Sequence, residues 1–406
     1  MPPTAPATSS RRPAAETAAR PGRAARAPST CANTHLRGVL VRSRLRAGAV
    51  PRKEPARQCR KKRDDRVQMQ KTALDDLDRS ILHALQISPR ASWTAVGRVL
   101  GVDAVTAARR WDRLRSTGRA WTTCYPGVRL IGASFTAYVE IDVQSGRAMD
   151  VARALAAHPQ VVTVEHLAGG RDLLVMVLVQ DLGALSELIT EHISALPGVA
   201  RTRAALATRV FSEGSRWRLR SLTPAQQRQL TRPATDQPRT ELDEHDHRLI
   251  TALSRDARAP AVELARETGL SAPNVRRRIA GLMHRGDAVL RCEIARDLTE
   301  WPVAATLWAS VPPGEIDKVA QGLSALPELR MCSSVTGPHN LLFTLWLKSV
   351  ADLARLETLL ADRLPQLQLV DRAVTLRLVK LMGKLLDERG RATGTVPINP
   401  WLPPGA

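Results

Sequence analysis

The sequence carries the same pattern of residues twice, each shared residue recurring 168 positions later. The pattern begins with a Leu-Asp pair, continues through a glycine and an arginine pair, and ends with a second glycine. It comprises Leu74-Asp75, Asp78, Gly101, Arg109-Arg110 and Gly118 in the first copy, and Leu242-Asp243, Asp246, Gly269, Arg277-Arg278 and Gly286 in the second. Because solenoid repeats are about 20–50 residues long, this period indicates the tandem duplication of a whole module. The chain is therefore expected to act as a built-in pair.

The positive charge of the chain is concentrated at its start. Residues 1–70 hold 17 Lys and Arg against four Asp and Glu, and so supply more than half of the net charge of +21. This segment is rich in Ala, Pro and Arg and has no helical or strand period, which predicts a disordered basic tail. Two interpretations of the tail stay open: an arm that tethers the protein to DNA, or a true start of translation at Met69.

Composition argues against several classes of protein. The five cysteines are scattered without metal-ligand spacing, so we expect neither a disulfide framework nor a metal site, and no cofactor. No apolar run approaches the roughly 18 residues of a membrane helix, and the first residues lack the apolar core of a signal peptide. We expect a soluble, cytoplasmic protein with no membrane partner.

Each copy opens with three short helical segments. In the first copy, Leu77, Ile81 and Leu85 recur at helical spacing, a second helix spans about 93–100, and a third follows Asp103 as far as about 117. The second copy repeats this order from 242 to 286. Two short helices joined by a three-residue turn that contains glycine are typical of a helix-turn-helix.

A different pattern follows each third helix. Alternating apolar and polar residues over 135–143 predict a half-buried strand, and the remaining segments follow in the order helix, strand, strand, helix, strand. The same order recurs in the second copy from about 303. The sequence thus predicts an α+β chain in which two winged helix-turn-helix domains alternate with two ferredoxin-like βαββαβ domains.

The third helix of each triad is the candidate DNA reader. Its outward residues can reach base edges or phosphates in the major groove. The candidate DNA-binding residues are Thr106, Arg109 and Arg110 in the first copy and Ser271, Asn274, Arg277 and Arg278 in the second. The alternatives are a solvated, salt-bridged helix face and, for Arg110 and Arg278, ion pairs with the acidic start of the first helix.

The two readers differ in charge. The second copy carries Arg276 and Arg285 in addition to its arginine pair, whereas Asp103 stands at the base-reading end of the first. We therefore expect the second copy to bind phosphate more strongly. Arg113, Arg115 and Arg119 keep DNA binding by the first copy open.

The loop between the second and third strands of each sheet domain is a second candidate site. It reads Gly169-Gly170-Arg171-Asp172 in the first copy and Gly337-Pro338-His339-Asn340 in the second. Glycine at its first position allows a backbone conformation closed to other residues, and the later carboxylate or amide can hold a ligand ammonium or amide. The alternative is an ordinary hairpin turn in which Asp172 or Asn340 bonds its own backbone.

A Leu-Asp-x-x-Asp helix-turn-helix followed by βαββαβ with a Gly-x-x-Asp loop resembles the Lrp/AsnC family of bacterial and archaeal regulators. The matching stretches are Leu74–Asp78, Gly101–Gly118, Gly169–Asp172, Leu242–Asp246, Gly269–Gly286 and Gly337–Asn340. The resemblance implies a transcription regulator whose sheet domains assemble and bind an amino acid or related small molecule at subunit interfaces.

Carried over from the family, the ligand-binding residues are Gly169 and Asp172 in the first copy and Gly337 and Asn340 in the second. The second copy departs from the family because the amide of Asn340 cannot neutralise a ligand ammonium. The fused pair is a further departure, since the family chain is normally a single module.

These observations predict a specific organisation. The expected segments are a basic tail (1–70), helix-turn-helix domain 1 (71–127), sheet domain 1 (128–220), a linker (221–240), helix-turn-helix domain 2 (241–295), sheet domain 2 (296–390) and a flexible C-terminal tail (391–406). The expected partners are double-stranded DNA, an amino-acid or small-molecule effector, and further copies of the pseudo-dimer.

The predicted function is sequence-specific DNA binding by a regulator that is not an enzyme. One alternative is a small-molecule-sensing or assembly protein with degenerate DNA binding, and another is an enzyme built on ferredoxin-like sheets, because fold does not fix function.

Overall fold

The computed structural model describes residues 74–127, 134–231 and 241–405, so the predicted basic tail lies outside the described residues. Its helices are α1 (Asp76–Ile87), α2 (Trp93–Leu100), α3 (Ala104–Ser116), α4 (Ala148–Ala156), α5 (Leu182–Glu187), α6 (Pro224–Leu230), α7 (Glu244–Arg255), α8 (Ala261–Thr268), α9 (Ala272–Arg285), α10 (Ile316–Ser324) and α11 (Ala351–Arg363). Its strands are β1 (Ala120–Pro126), β2 (Phe135–Val143), β3 (Val161–Ala168), β4 (Leu173–Val179), β5 (Val199–Ser212), β6 (Ala288–Ile294), β7 (Val303–Ser310), β8 (Leu329–Val335), β9 (Leu341–Leu347), β10 (Gln368–Leu381), β11 (Lys384–Leu386) and β12 (Ala392–Thr395). None of the helices within these ranges has the length and apolarity needed to cross a membrane.

Helices α1–α3 form a first helix-turn-helix, head 1, and α7–α9 form a second, head 2. Side-chain caps set where the helices of head 1 begin: Asp75 accepts from the Asp78 amide at 2.7 Å and Asp103 from the Val105 amide at 2.7 Å. Gly101 ends α2 with a left-handed φ of 70°, as Gly269 does for α8, a conformation that favours glycine. The predicted helical triads are confirmed in both copies.

Strands β1 and β6 pair antiparallel and form a two-stranded ribbon between the heads, with Ala120 opposite Ile294 and Pro126 opposite Ala288. The ribbon exchanges side chains between the copies. Cys292 and Ile294 of β6 pack in the core of head 1, and Cys124 of β1 packs in the core of head 2. Each head therefore needs a strand of the other copy to complete its core.

The two sheet domains close into one ring of eight strands. Each has the ferredoxin-like order, β5-β2-β4-β3 in the first copy and β10-β7-β9-β8 in the second. The last strand of each domain also pairs with the other domain, β5 with β8 and β10 with β3. The short strands β11 and β12 extend the sheet beside β10. The predicted α+β fold is confirmed.

Three cores stabilise the ring. Helices α4 and α5 cover the outer face of the first domain, and α10 and α11 cover that of the second. Between the two inner faces lies a core shared by both copies, which includes Tyr138, Leu174, Trp308 and Leu342. The shared core has the packing expected when two sheets face each other.

The prediction of a linker from residue 221 is wrong for its first part. Helix α6 occupies 224–230, and Leu222 and Leu230 are buried in the core of head 1. Pro224 stands at the start of α6, where a missing amide costs nothing, and Thr223 caps the helix with Gln226. Residues 232–240 lie outside the described residues.

The prediction of a flexible tail from residue 391 is also wrong. Strand β12 pairs with β11, and beyond it the Ile398 amide donates to Ser254 Oγ at 3.1 Å. Further along, Trp401 stacks on His247 with 4.0 Å between ring centroids. In this proline-rich segment, Trp401 packs on head 2 and Ile398 packs against residues of the ring.

Replacement of Ile398 by alanine tests this packing. Its side chain is fully buried beside Tyr125, Val162 and Met382, and truncating such a residue costs about 2–5 kcal/mol. We expect the urea midpoint of unfolding to fall accordingly. Leu376→Ala is the matched control, because Leu376 is 59% exposed and its truncation should change stability by less than about 0.5 kcal/mol. Equal midpoints for the two variants would contradict a packed C-terminal segment.

Candidate functional site

Helix α3 presents its reading face on head 1. Ala107, Trp111 and Leu114 are buried as predicted from their spacing, and the opposite face is open to solvent. Thr106 is half-buried and Arg109 is exposed. Among the described residues, Arg109 has no hydrogen-bond or ion-pair partner. Its guanidinium is free to meet a base edge or a phosphate.

Helix α9 presents a comparable face on head 2. Ser271 is exposed and caps the helix, and Arg277 Nη2 donates to Asn274 Oδ1 at 3.0 Å, so these two side chains form one polar unit. Arg276 is exposed beside them, whereas its equivalent in α3 is Ala108. The two readers carry equal numbers of unburied arginines, but head 2 has two adjacent exposed ones at Arg276 and Arg277, whereas those of head 1 are spread along α3 at Arg109, Arg113 and Arg115.

Arg110 and Arg278 adopt the second alternative that the sequence left open, ion pairs with the acidic start of the first helix. Arg278 contacts both oxygens of Asp243, at 2.9 and 2.8 Å, and Asp246 at 2.7 Å. The hydrogen bond from Arg278 lowers the pKa of Asp243. Arg110 contacts one oxygen of the equivalent Asp75, and its Nη1 lies 3.0 Å from Asp78 Oδ1. These pairs fix each reader against the first helix of its head.

One exposed residue of the first reader was missed at the sequence level. Val105 is 73% exposed, next to the cap of α3, and its equivalent in head 2 is Pro273. An apolar side chain at this end of a reader can contact a thymine methyl group. A β-branched residue outside the apolar spacing of α3 is the signal that marks it.

Two arginines clasp the heads to each other reciprocally. Arg90 Nη1 of head 1 donates to the carbonyls of Ala257 and Ala259, at 2.6 and 3.1 Å. Arg258 Nη1 of head 2 donates to the equivalent carbonyls of head 1, those of Pro89 and Ala91, at the same distances. Burial lowers the pKa of both guanidiniums. The recurrence of this arginine 168 positions later was visible in the sequence, but it did not reveal this role.

The loop residues of the first copy lie against the last strand of the second. A Cβ on Gly169 would stand 2.8 Å from the Cβ of Ala373, so this glycine is required by close packing, not by a left-handed backbone. Asp172 Oδ2 accepts from the Val143 amide at 2.7 Å. Arg171, whose role was not predicted, contacts Asp371 at 2.6 Å and lies over the Trp308 ring.

The equivalent loop of the second copy follows the same plan. Gly337 has a left-handed φ of 112°, as predicted for a glycine of this loop. Asn340 bonds Val311 twice, accepting from its amide at 2.9 Å and donating to its carbonyl at 2.7 Å. Asp172 and Asn340 thus both anchor the end of the first strand of their domain, and a ligand role for either stays a prediction.

The described cysteines are packing residues. Cys124, Cys292 and Cys332 are buried and free of disulfides, and burial raises the pKa of Cys292 to about 12. Over 74–127, 134–231 and 241–405, no three His, Cys, Asp or Glu residues come together as a metal site. Cys124 and Cys292 occupy equivalent places in the two heads, because each lies on the ribbon strand that packs into the core of the other copy's head.

Replacement of Arg90 by alanine tests the clasp between the heads. The change leaves the carbonyls of Ala257 and Ala259 without their donor, at a cost of about 1–3 kcal/mol for a buried polar group. We expect a lower urea midpoint than for the exposed control Arg98→Ala. A midpoint shared by the two variants would show that the clasp does not stabilise the heads.

Comparison with known proteins matches both kinds of domain. The AsnC-type helix-turn-helix domain matches residues 74–115 and 242–283, and the Lrp/AsnC ligand binding domain matches residues 136–217. The chain is 32% identical to the HTH-type transcriptional regulator AldR of Mycolicibacterium smegmatis over 33% of its own length and 80% of that protein. It is 28% identical to an uncharacterized HTH-type transcriptional regulator of Pyrococcus horikoshii, over 36% of its length and 92% of that protein.

A solved structure shares the fold of most of the chain. The siroheme decarboxylase NirDL superposes with a TM-score of 0.51 at 16% identity, covering 78% of this chain and 96% of that one. At this identity the likeness concerns the fold. The two helix-turn-helix matches, the ligand-domain match and the regulator relatives establish that this chain belongs to the Lrp/AsnC family of DNA-binding transcriptional regulators, as a tandem duplication of the family module.

Proposed function

We propose that the chain is a covalent pseudo-dimer that binds double-stranded DNA with both heads, α3 and α9 each entering a major groove. The observation that carries the proposal is the reciprocal joining of the heads by the ribbon and by Arg90 and Arg258. Two readers joined in this way would address half-sites about one helical turn, or roughly 34 Å, apart. Because the readers differ in sequence, the operator would be asymmetric or an imperfect palindrome.

The proposed contacts fall into two groups. Arg109 and Arg277 are exposed on their readers and would contact guanine or phosphate, while Thr106, Ser271 and Asn274 would approach base edges. Arg110 and Arg278 would position the readers without contacting DNA themselves, because their ion pairs hold α3 and α9 against the first helix of each head.

Replacement of single arginines tests the two readers separately. We expect Arg277→Ala and Arg109→Ala each to weaken binding to a fragment of the protein's own promoter. Each should also reduce the salt slope of log K by about 0.9 for every DNA phosphate that the variant no longer neutralises. The larger loss of affinity is expected for Arg277→Ala, since the carboxylate of Asp103 stands at the base-reading end of α3 and the neutral Ser271 at that of α9. Fluorescence anisotropy over a salt series measures both quantities.

The control for this experiment is Arg153→Ala, on helix α4 of the sheet domain, where the side chain is 64% exposed. It removes the same charge from a surface away from the readers. Wild-type affinity and slope in Arg109→Ala, with a loss in Arg277→Ala, would favour the alternative in which head 1 does not bind DNA. Salt-insensitive binding by every variant would contradict the proposal for both heads.

We further propose that an amino acid or related small molecule binds at the loops that contain Gly169 and Asp172, and Gly337 and Asn340. The support is their position: Gly169 packs against the last strand of the second copy, and the Leu206 amide of the first copy donates to Thr336 beside Gly337. A ligand at such a junction would bias the assembly of pseudo-dimers or the spacing of the heads. Such coupling requires different ligand affinities in the two states.

The substitution Asp172→Asn isolates the charge of the first loop. The amide oxygen can still accept from the Val143 amide, so the strand anchor is kept while the carboxylate is lost. Because the amide of Asn340 cannot neutralise a ligand ammonium, the first loop should account for the binding of a free amino acid. We therefore expect heats of amino-acid binding, measured by isothermal titration calorimetry, to disappear in this variant and to persist in Asn340→Gln. Unchanged binding in Asp172→Asn would show that its carboxylate does not hold the ligand ammonium.

We assign no enzymatic reaction to this chain. The fold shared with NirDL, at 16% identity, supports a common architecture and not a common activity.

A further inference from the structure

A cavity of about 150 Å³ lies between the ribbon and the ring. The ribbon contributes Tyr125, Pro126 and Arg291 to its wall, and strands of both sheet domains contribute most of the rest. Arg296, which also lines it, lies in the segment between β6 and β7. Within the part of the chain that the structure describes, the residues that line the cavity do not include the loops of Gly169 and Asp172 or of Gly337 and Asn340. The cavity is therefore a separate place where a small molecule would touch both the ribbon and the ring.

The two copies contribute equivalent positions to this wall. Residues 168 positions apart both line the cavity in the pairs Thr136 and Ala304, Thr163 and Met331, Met176 and Thr344, Leu178 and Trp346, Val210 and Leu378, Glu213 and Leu381, and Gly214 and Met382. A wall built from equivalent positions lies on the pseudo-two-fold axis, so both copies share this cavity. The paired residues differ in chemistry, which makes the two ends of the cavity unlike.

The end formed by β5, β6 and β8 has its charges paired. Arg330 Nη2 lies 2.6 Å from Glu293 Oε1, and Arg291 also pairs with Glu293. Glu213 accepts from Tyr125 Oη at 2.5 Å. Because these charged side chains have partners within the protein, this end does not require a ligand charge.

The end formed by β3 and β10 is mainly apolar, and Arg296 lies at it with no side-chain hydrogen bond or ion-pair contact among the described residues. Leu378 and Leu381 line it, with Glu165 opposite Leu378 in the strand register. Within the part of the chain that the structure describes, no carboxylate is in ion-pair contact with Arg296. Glu165 accepts from Thr375 Oγ1 at 2.5 Å, and burial raises the pKa of its carboxyl. Burial also lowers the pKa of Arg296, while the charge of Glu165 acts in the opposite direction from beyond ion-pair distance. Among the described residues, the guanidinium donors of Arg296 therefore have no acceptor in contact with them.

We propose that this cavity binds a small organic acid whose carboxylate pairs with Arg296 and whose apolar body packs against Leu178, Leu378 and Leu381. An apolar cavity of about 150 Å³ is large enough for a benzene ring. The ligand class is therefore a monocyclic aromatic carboxylate or a branched aliphatic acid of similar size. One molecule binds per chain, because the cavity lies on the axis.

Isothermal titration calorimetry of the full chain with benzoate, phenylacetate and 3-methylbutanoate tests this site. We expect saturable binding of at least one acid at one molecule per chain. The uncharged amide of the acid that binds should be at least about tenfold weaker, the loss expected for a charge-assisted hydrogen bond. No saturable binding of any of the three acids, or equal affinity for acid and amide, would overturn the proposal.

Variants locate the binding. Arg296→Gln should lower the affinity for the acid by about tenfold or more and leave that for the amide unchanged. Arg296→Lys keeps the positive charge and should retain most of the preference for the acid, which separates the loss of the anion partner from a folding defect. Arg153→Gln, which removes an exposed arginine from α4, should behave as the wild type. Wild-type affinity in Arg296→Gln would overturn the assignment.

The ligand loops provide the last comparison. Asp172→Asn should bind the acid as the wild type does, and loss of binding in this variant would place the acid at the loops and overturn the proposal. DNA binding by the unliganded chain is measured independently, so failure of the acid site leaves the test of the heads intact.

Discussion

The pairing of β1 with β6 is the constraint on which the arrangement of the heads depends. Cys292 and Ile294 complete the core of head 1, and Cys124 completes that of head 2, so neither copy completes its head with its own residues alone. In a dimer of separate chains this exchange would depend on protein concentration. The fusion keeps the exchanged strand within the same molecule, and the crossed arginines Arg90 and Arg258 then hold the heads together across the ribbon.

Much of the fold was predictable because its signals are local. The caps at Asp75 and Asp103, the turn at Gly101 and the strand alternation over 135–143 need no knowledge of the other copy. The partners of the last strands were not predictable. Alternation specifies which face of a strand is buried but not its neighbour, so the pairing of β5 with β8 and of β10 with β3 required the structure.

The errors share a physical cause. Prolines and glycines indicate turns and loops when only their sequence neighbours are considered. In the folded chain, tertiary contacts decide what structure forms around them. Pro224 begins a helix that buries Leu230 in head 1, and the proline-rich C-terminal segment buries Ile398 completely. Gly169 has ordinary backbone angles and is needed because β10 passes too close for a side chain. At the readers, the sequence left two roles open for Arg110, DNA contact and ion pairs with the first helix, because residue spacing is compatible with both.

Duplication within one chain allows the two residues related by the pseudo-two-fold axis to differ, which the symmetry of a homodimer does not allow. In a homodimer each residue at the axis meets its own copy, so a glutamate at the position of Glu213 would put two carboxylates on one small wall. Two carboxylates that share one cavity disfavour each other's charged form. Here the equivalent position is Leu381, so this pair of positions supplies one carboxylate, which pairs with Tyr125, and one apolar side chain at the other end. Equivalent residues also differ at the readers, where Asp103 caps α3 and Ser271 caps α9. The copies have thus diverged at the axis and at the reading faces, the two places where identity between subunits would otherwise limit what a dimer can bind.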